Sequence, residues 1–166
     1  MSARFVINLL DFVRDSGAHH GKIPLAELER LQDYLFDNTN ELIYTIDGRL
    51  NKDNKPTLQI SIKGEVNLYC QRCLDKMAHA IDLKTSLLLV ENEAELCQYD
   101  EEDSIDTILA TPSIDVWVLI EDEIILNLPM TPCHQEDTCK IDHLVKNSTE
   151  QLTHPFAALT ALKKTH

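Results

Sequence analysis

From Leu58 to Cys70 the chain alternates between two kinds of side chain. Leu58, Ile60, Ile62, Gly64, Val66, Leu68 and Cys70 fall on one side, with Gln59, Ser61, Lys63, Glu65, Asn67 and Tyr69 on the other. Met77, Ile81, Leu83, Leu87 and Leu89 carry the same period of two downstream. Half-buried strands show this alternation because successive side chains point to opposite faces. Leu42, Tyr44, Ile46 and Leu50, interleaved with Thr45, Asp47 and Arg49, predict an earlier strand, and Asn51 to Pro56 predict the turn after it. Three strands joined in sequence form an antiparallel meander, its last two members a hairpin over about 57–90.

A different period appears on either side of this sheet. Pro24 suits a first helical turn, and Leu25, Leu28, Leu31 and Leu35 line one face, so a helix is predicted over 24–37. A second helix is predicted over 114–127, with Trp117, Ile120, Ile124 and Leu128 on its apolar face. Ser113 or Asp115 is its N-cap and Pro129 its stop, while Glu121-Asp122-Glu123 read as a mainly solvated face. Pro155 opens a last short helix with Phe156, Leu159 and Leu162 in a stripe and Lys163-Lys164 at its end, within a tail over 144–166. Residues 3–13 fit either a strand or a short helix, and Gly17 to Gly21, with His19 and His20, read as a loop. Residues 91–106 include Asp100-Glu101-Glu102-Asp103, whose repulsion predicts a mobile acidic loop, with Cys97 an isolated thiol inside it. With no internal repeat, residues 1–166 are expected to form one α+β domain: an antiparallel sheet flanked by helices, with a short helical tail.

Charge changes the picture. The formal net charge is −13. Residues 85–139 contain 14 acids and no Lys or Arg, so the whole imbalance sits in one third of the chain. Nucleic-acid binders displace counterions with Lys and Arg, and a field this negative opposes broad contact with RNA. It favours a basic protein partner and speeds the encounter. The plain alternative is a solvated, solubilising face. No stretch approaches the roughly 18 apolar residues of a membrane span. No export segment is recognisable in the sequence given, so the five cysteines are expected to be free thiols or metal ligands in a reducing cytoplasm.

The candidate chemistry lies at the hairpin tip. Cys70-Gln71-Arg72-Cys73 places two sulfurs in one space, and His134 with Cys139 offers a second pair about sixty residues on. Both spacings suit a tetrahedral zinc site, and Cys70, Cys73, His134 and Cys139 are the expected ligands. Cys133 stands beside His134 as an alternative ligand, and an unrelated pair of free thiols is the plain reading. A thioredoxin-like redox pair is disfavoured because that motif opens a helix after a strand, whereas this one joins two strands. Four ligands close the coordination shell, which points to a structural zinc and away from a catalytic one. No nucleophile elbow, phosphate loop or dinucleotide fingerprint is found with only four glycines.

Together, Tyr69-Cys70-Gln71-Arg72-Cys73-Leu74, Ile120 to Pro129, Pro132-Cys133-His134 with Cys139, and His154-Pro155-Phe156-Ala157-Ala158-Leu159 with Leu162-Lys163 resemble the YceD family, the large ribosomal RNA subunit accumulation proteins. Two positions depart from the family pattern: Cys133 stands where an apolar residue is expected, and His154 where Asn is expected. The resemblance implies a non-enzymatic cytoplasmic role in accumulation of 23S ribosomal RNA and large-subunit biogenesis. With the charge map, it leads us to expect a basic ribosomal protein or the precursor particle as partner, and weak or no binding to naked RNA. A small zinc-dependent enzyme acting on RNA is the alternative.

Overall fold

The computed structural model describes residues 5–99, 106–135 and 138–139. The predicted meander is its centre. Strands β4 (Glu41–Leu50), β5 (Pro56–Tyr69) and β6 (Lys76–Val90) pair antiparallel in sequence order. Their inward residues Leu42, Tyr44, Ile46, Leu58, Ile60, Ile62, Leu83 and Leu87 are buried in one core. At the β4–β5 turn, the Asn51 side chain accepts the N–H groups of Asp53 and Lys55, both at 2.9 Å.

Short elements complete both ends of the chain. Strand β1 (Val6–Ile7) leads into helix α1 (Leu9–Arg14), so the undecided segment 3–13 holds one of each. Asn8 caps α1, which lies against β4 and β5. Gly48 permits that approach: a Cβ there would stand 2.8 Å from the Val13 Cα. The expected loop over 17–21 is instead part of strand β2 (Ala18–Pro24), paired with β4 from Ala18↔Asp47 to Pro24↔Glu41. Cross-strand partners override the low strand propensity of its His and Gly residues. His19 stacks on Phe5, with ring centres 4.1 Å apart, and its Nδ1 lies 3.2 Å from the Tyr44 hydroxyl.

Segment 24–37 corrects the sequence reading most. It holds two 3₁₀ turns, Leu25–Glu27 and Leu31–Tyr34, followed by strand β3 (Leu35–Asp37), which pairs with β5. Leu25, Leu28 and Leu31 recur at a strict period of three, the repeat of a 3₁₀ turn. Side chains take over the ladder. The Gln32 amide donates to the carbonyls of Leu25 and Leu28, and the Leu31 N–H, which an α-helix would send to Glu27, goes to Glu121. The four leucines are buried nonetheless.

The acidic segment after β6 is not wholly loop. It contains helix α2 (Glu93–Tyr99), where the Asn92 side chain accepts the Glu95 N–H at 2.8 Å and the Glu95 carboxylate reaches back to the Glu91 N–H. Cys97 is exposed on it; Asp100 to Asp103 lie outside the described residues. Strand β7 (Asp106–Leu109) then pairs parallel with β6, which a connection of this length allows. Strand β8 (Ile114–Asp115) pairs with β1 and runs into helix α3 (Val116–Asn127), capped by Asp115, whose side chain accepts the Trp117 N–H at 3.0 Å. Glu121 and Glu123 on α3 are buried, contrary to the solvated face expected for Glu121-Asp122-Glu123. The architecture is α+β, a mostly antiparallel sheet with helices against it. The expected tail 144–166 and its helix lie outside the described residues. No described helix is long and apolar enough to cross a membrane.

Candidate metal centre

The β5–β6 hairpin ends in a tight turn built around Cys70. Its N–H donates to the Asp75 carbonyl at 2.9 Å, and its carbonyl accepts the Leu74 N–H at 2.8 Å. Leu74 closes the turn in the left-handed region at φ 59°, a conformation unusual for a branched residue and found chiefly where surrounding bonds over-determine it. The other half of the centre arrives after Pro129 ends α3. There the Pro132 carbonyl accepts the Gln71 N–H at 2.8 Å, and the His134 N–H donates to Cys70 Sγ at 3.4 Å. Thr138 bonds the Gln135 carbonyl through both its N–H and its hydroxyl, turning the chain so that Cys139 is buried against the hairpin tip.

Cys70, Cys73, His134 and Cys139 thus converge, with one donor atom from each lying within 4.8 Å of the others. Cys73 Sγ is 3.3 Å from His134 Nδ1. Cys133 is exposed and outside this group. The imidazole is oriented from behind: its Nε2 lies 3.1 Å from the Lys76 carbonyl, which can only accept. Nε2 therefore carries the proton and Nδ1 faces the sulfurs with its lone pair, the arrangement a metal-ligating histidine needs. Lys76 is itself fixed, its ammonium 2.8 Å from Asp37. That bond, with those from Asn67 and Thr39, holds the Asp37 carboxyl well below the usual carboxylate range, although burial acts against it.

The sulfurs differ in acidity. Burial pushes Cys70 up, but the backbone N–H groups of His134, Cys73 and Arg72 outweigh it, so the thiol falls to about 6. At Cys73 the Asp75 N–H acts to lower the value, yet burial and the neighbouring sulfurs of Cys70 and Cys139 leave it raised. One thiol of the cluster is thus ready to ionise, while the crowding that opposes a second charge is what a dication would relieve. Three sulfurs and one imidazole, with Cys70 and Cys139 buried and Cys73 and His134 partly so, form the donor set of a structural zinc site. A tetrahedron with bonds of about 2.3 Å has edges of about 3.8 Å, so a modest contraction of the cluster would accommodate the ion.

Comparison with known proteins places this centre in context. The family described as "Large ribosomal RNA subunit accumulation protein YceD" matches residues 58–163, nearly two thirds of the chain and all four converging side chains. The chain belongs to the YceD family. The protein of Haemophilus influenzae named "Large ribosomal RNA subunit accumulation protein YceD" is 23% identical to it over 150 residues, covering 83% of each chain. No solved structure matches the chain.

Sequence spacing pointed to the four converging side chains, but three neighbouring features escaped it. The Gln71–Pro132 backbone bond has no sequence signal. The Lys76 carbonyl behind His134 has none either, since any residue could supply it. The tilted pair Phe36 and Tyr69, with ring centres 5.0 Å apart beside the hairpin tip, depends on β3, which sequence reading placed in a helix. Lys76, the basic residue that opens β6 beside the hairpin tip, is engaged by Asp37.

Proposed function

We propose that this YceD-family chain is a non-enzymatic accessory factor in 23S ribosomal RNA accumulation and large-subunit biogenesis, working by binding in the cytoplasm. Family membership over a stretch holding the whole cysteine–histidine cluster carries this reading. Cys70, Cys73, His134 and Cys139 hold a structural zinc that ties the hairpin tip to the segment after α3. The ion supplies cross-linking rather than Lewis-acid chemistry, since four protein ligands leave it no open position. The partner is a basic ribosomal protein or the precursor particle that carries it. The support is the stretch 85–139, with 14 acids and no Lys or Arg, which repels phosphates and attracts cations.

Depletion of the protein in its host, read as the ratio of 23S to 16S ribosomal RNA and as a sedimentation profile, tests this. A fall in the ratio with loss of large-subunit precursors is expected, together with co-sedimentation of the chain with those precursors. An unchanged ratio and no co-sedimentation would overturn the reading. Chelator-sensitive cleavage of ribosomal RNA by the purified chain would replace it with the zinc-enzyme alternative.

A further inference from the structure

The three sulfurs of the cysteine–histidine cluster are not equally sheltered. Cys70 and Cys139 are fully buried, whereas Cys73 is half-buried. All three belong to a group whose donor atoms lie within 4.8 Å of one another. A zinc whose only task is to staple would be best served by three sheltered thiolates, since buried cysteines are inert and partly exposed ones react. An open sulfur with a second thiol beside it is the arrangement of cysteines that sense oxidants.

Geometry selects the partner of Cys73. Cys70 sits on the same turn, which is closed by the Leu74 N–H donating to the Cys70 carbonyl at 2.8 Å. A chain reversal brings residues three apart within about 7 Å, and a disulfide spans about 4.4–6.8 Å between Cα atoms. Cys70 and Cys73 can therefore join without either strand of the hairpin moving. Cys139 arrives from a separate segment, so joining it to Cys73 would draw two parts of the chain together. The Cys70 sulfur also accepts the His134 N–H at 3.4 Å. Drawing that sulfur into a disulfide would break this bond and remove two of the four ligands at once.

We propose that the cluster is a redox-sensitive clasp: hydrogen peroxide drives Cys70 and Cys73 into a disulfide, zinc is lost, and the segment after α3 comes free of the hairpin tip. The inference rests on the proposed zinc site and adds the condition under which that staple opens. Coordination holds the sulfurs as thiolates. Cys73 Sγ attacks one peroxide oxygen; the S–O bond forms, the O–O bond breaks, and the departing hydroxide takes up a proton as water. Cys70 Sγ then attacks Cys73 Sγ, forming the S–S bond and expelling the sulfenic oxygen as hydroxide, which a second proton turns to water. Two thiolates, one peroxide and two protons thus give one disulfide and two waters, the sulfurs losing the two electrons that peroxide gains. Only His134 and Cys139 then remain, too few for a structural zinc, which takes four ligands.

The test uses the full chain, reduced and zinc-loaded, carrying Cys97→Ser and Cys133→Ser so that the two exposed cysteines outside the cluster are silent. Hydrogen peroxide is added, zinc release is followed with a chromogenic chelator, and disulfides are mapped by peptide mass spectrometry. Release of about one zinc per chain is expected, with Cys70 linked to Cys73 and with recovery on adding dithiothreitol and zinc. Hydrogen exchange in 129–135 is expected to quicken on oxidation and to slow again on reduction. Two further substitutions keep a four-ligand site. Cys139→His retains the reactive pair, so release persists; Cys73→His removes the open sulfur, so release slows about tenfold or more, because the thiols that remain are buried. If Cys73→His fails to hold zinc, the disulfide map of the parent chain decides alone. Zinc retained under peroxide, a disulfide to Cys139, or equal release from Cys73→His would overturn the inference while leaving the zinc site standing. A reduced chain that binds no zinc at all would bring down the proposed site and the clasp with it.

Discussion

The side-chain oxygen of Glu121 accepts the backbone N–H of Leu31 at 2.9 Å, across 90 residues of sequence and inside the core. One side chain of α3 therefore caps the second 3₁₀ turn and holds Leu31 in place. Beside it, Asp122 takes Arg30 at the surface, so the two acids grip consecutive residues of the same turn. Replacing Glu121 by Ala leaves the Leu31 N–H buried without a partner, at a cost of about 2 kcal/mol. Glu121→Gln keeps a carbonyl oxygen at the same reach and is expected to cost less than half of that. Urea denaturation of both variants checks it. Equal losses would mean that packing, not the hydrogen bond, is what Glu121 supplies.

Glu123, two residues on, gives the fold a pH dependence of known sign. Burial raises its carboxyl above the ordinary 4.5, and Asp106 and Asp122 add repulsion, while a bond from the Thr85 hydroxyl offsets part of the shift. The folded state then binds this proton more tightly than the unfolded state does. Its contribution is favourable below the unfolded value and is lost as pH rises through the folded one. Glu123→Gln removes the titration. The variant is expected to gain stability relative to wild type as pH rises from the unfolded carboxylate value through the raised folded one, and to gain no more beyond it. Denaturation midpoints of the pair across that range decide it; a difference that is flat with pH would refute the assignment to Glu123.

These two acids also mark where the sequence was legible and where it was not. Period two located β4, β5 and β6 because each has one face in the core and one in solvent, so pattern and environment coincide. The cluster of Cys70, Cys73, His134 and Cys139 was legible for a similar reason: ligand spacing is a local property of the chain. Helical spacing misled at Leu25, Leu28, Leu31 and Leu35, since leucines three or four apart suit 3₁₀ turns and helices alike. The decision there belongs to the Gln32 side chain within the segment and to Glu121, a contact from far along the chain. Strand β2 was hidden by His and Gly, which pair well only once β4 lies beside them. Helix α2 did carry a signal, Asn92 followed three residues later by Glu95, but the run of acids after it masked the pattern.

The cysteines make a sharper test, because Cys133 adjoins the cluster in sequence and stands outside it in space. Reduced, tag-free protein is expected to carry about one zinc per chain by elemental analysis, in keeping with a four-ligand site. Cys133→Ser keeps it, whereas Cys70→Ser, Cys73→Ser and Cys139→Ser lose it. Zinc at about a thousandfold above its Kd stabilises by about 4 kcal/mol, so chelation should lower the melting temperature of wild type and leave Cys73→Ser unchanged. Hydrogen exchange is expected to quicken in 129–135 on chelation and to stay slow in β4 and β5. Zinc loss on Cys133→Ser, or wild type free of zinc, would contradict this ligand set.

The charge map supplies the last test. Residues 85–139 set a negative field with no Lys or Arg to interrupt it, and Lys76 beside the hairpin tip is already neutralised by Asp37. Few phosphates can therefore be neutralised at once. Binding to naked ribosomal RNA is expected to be weak and to show a shallow dependence on salt, because the slope of log affinity against log salt scales with the phosphates contacted, at roughly 0.9 per phosphate on duplex. Capture of a basic ribosomal protein behaves differently. Steering by the acidic field raises its association rate, so changing Asp100, Glu101, Glu102 and Asp103 to their amides is expected to slow association more than it quickens release. Filter binding at near-physiological salt measures the first quantity, and stopped-flow association the second. Tight, sequence-selective retention of free RNA would move the contact from protein to nucleic acid, and an on-rate indifferent to the four amides would remove the field as its cause.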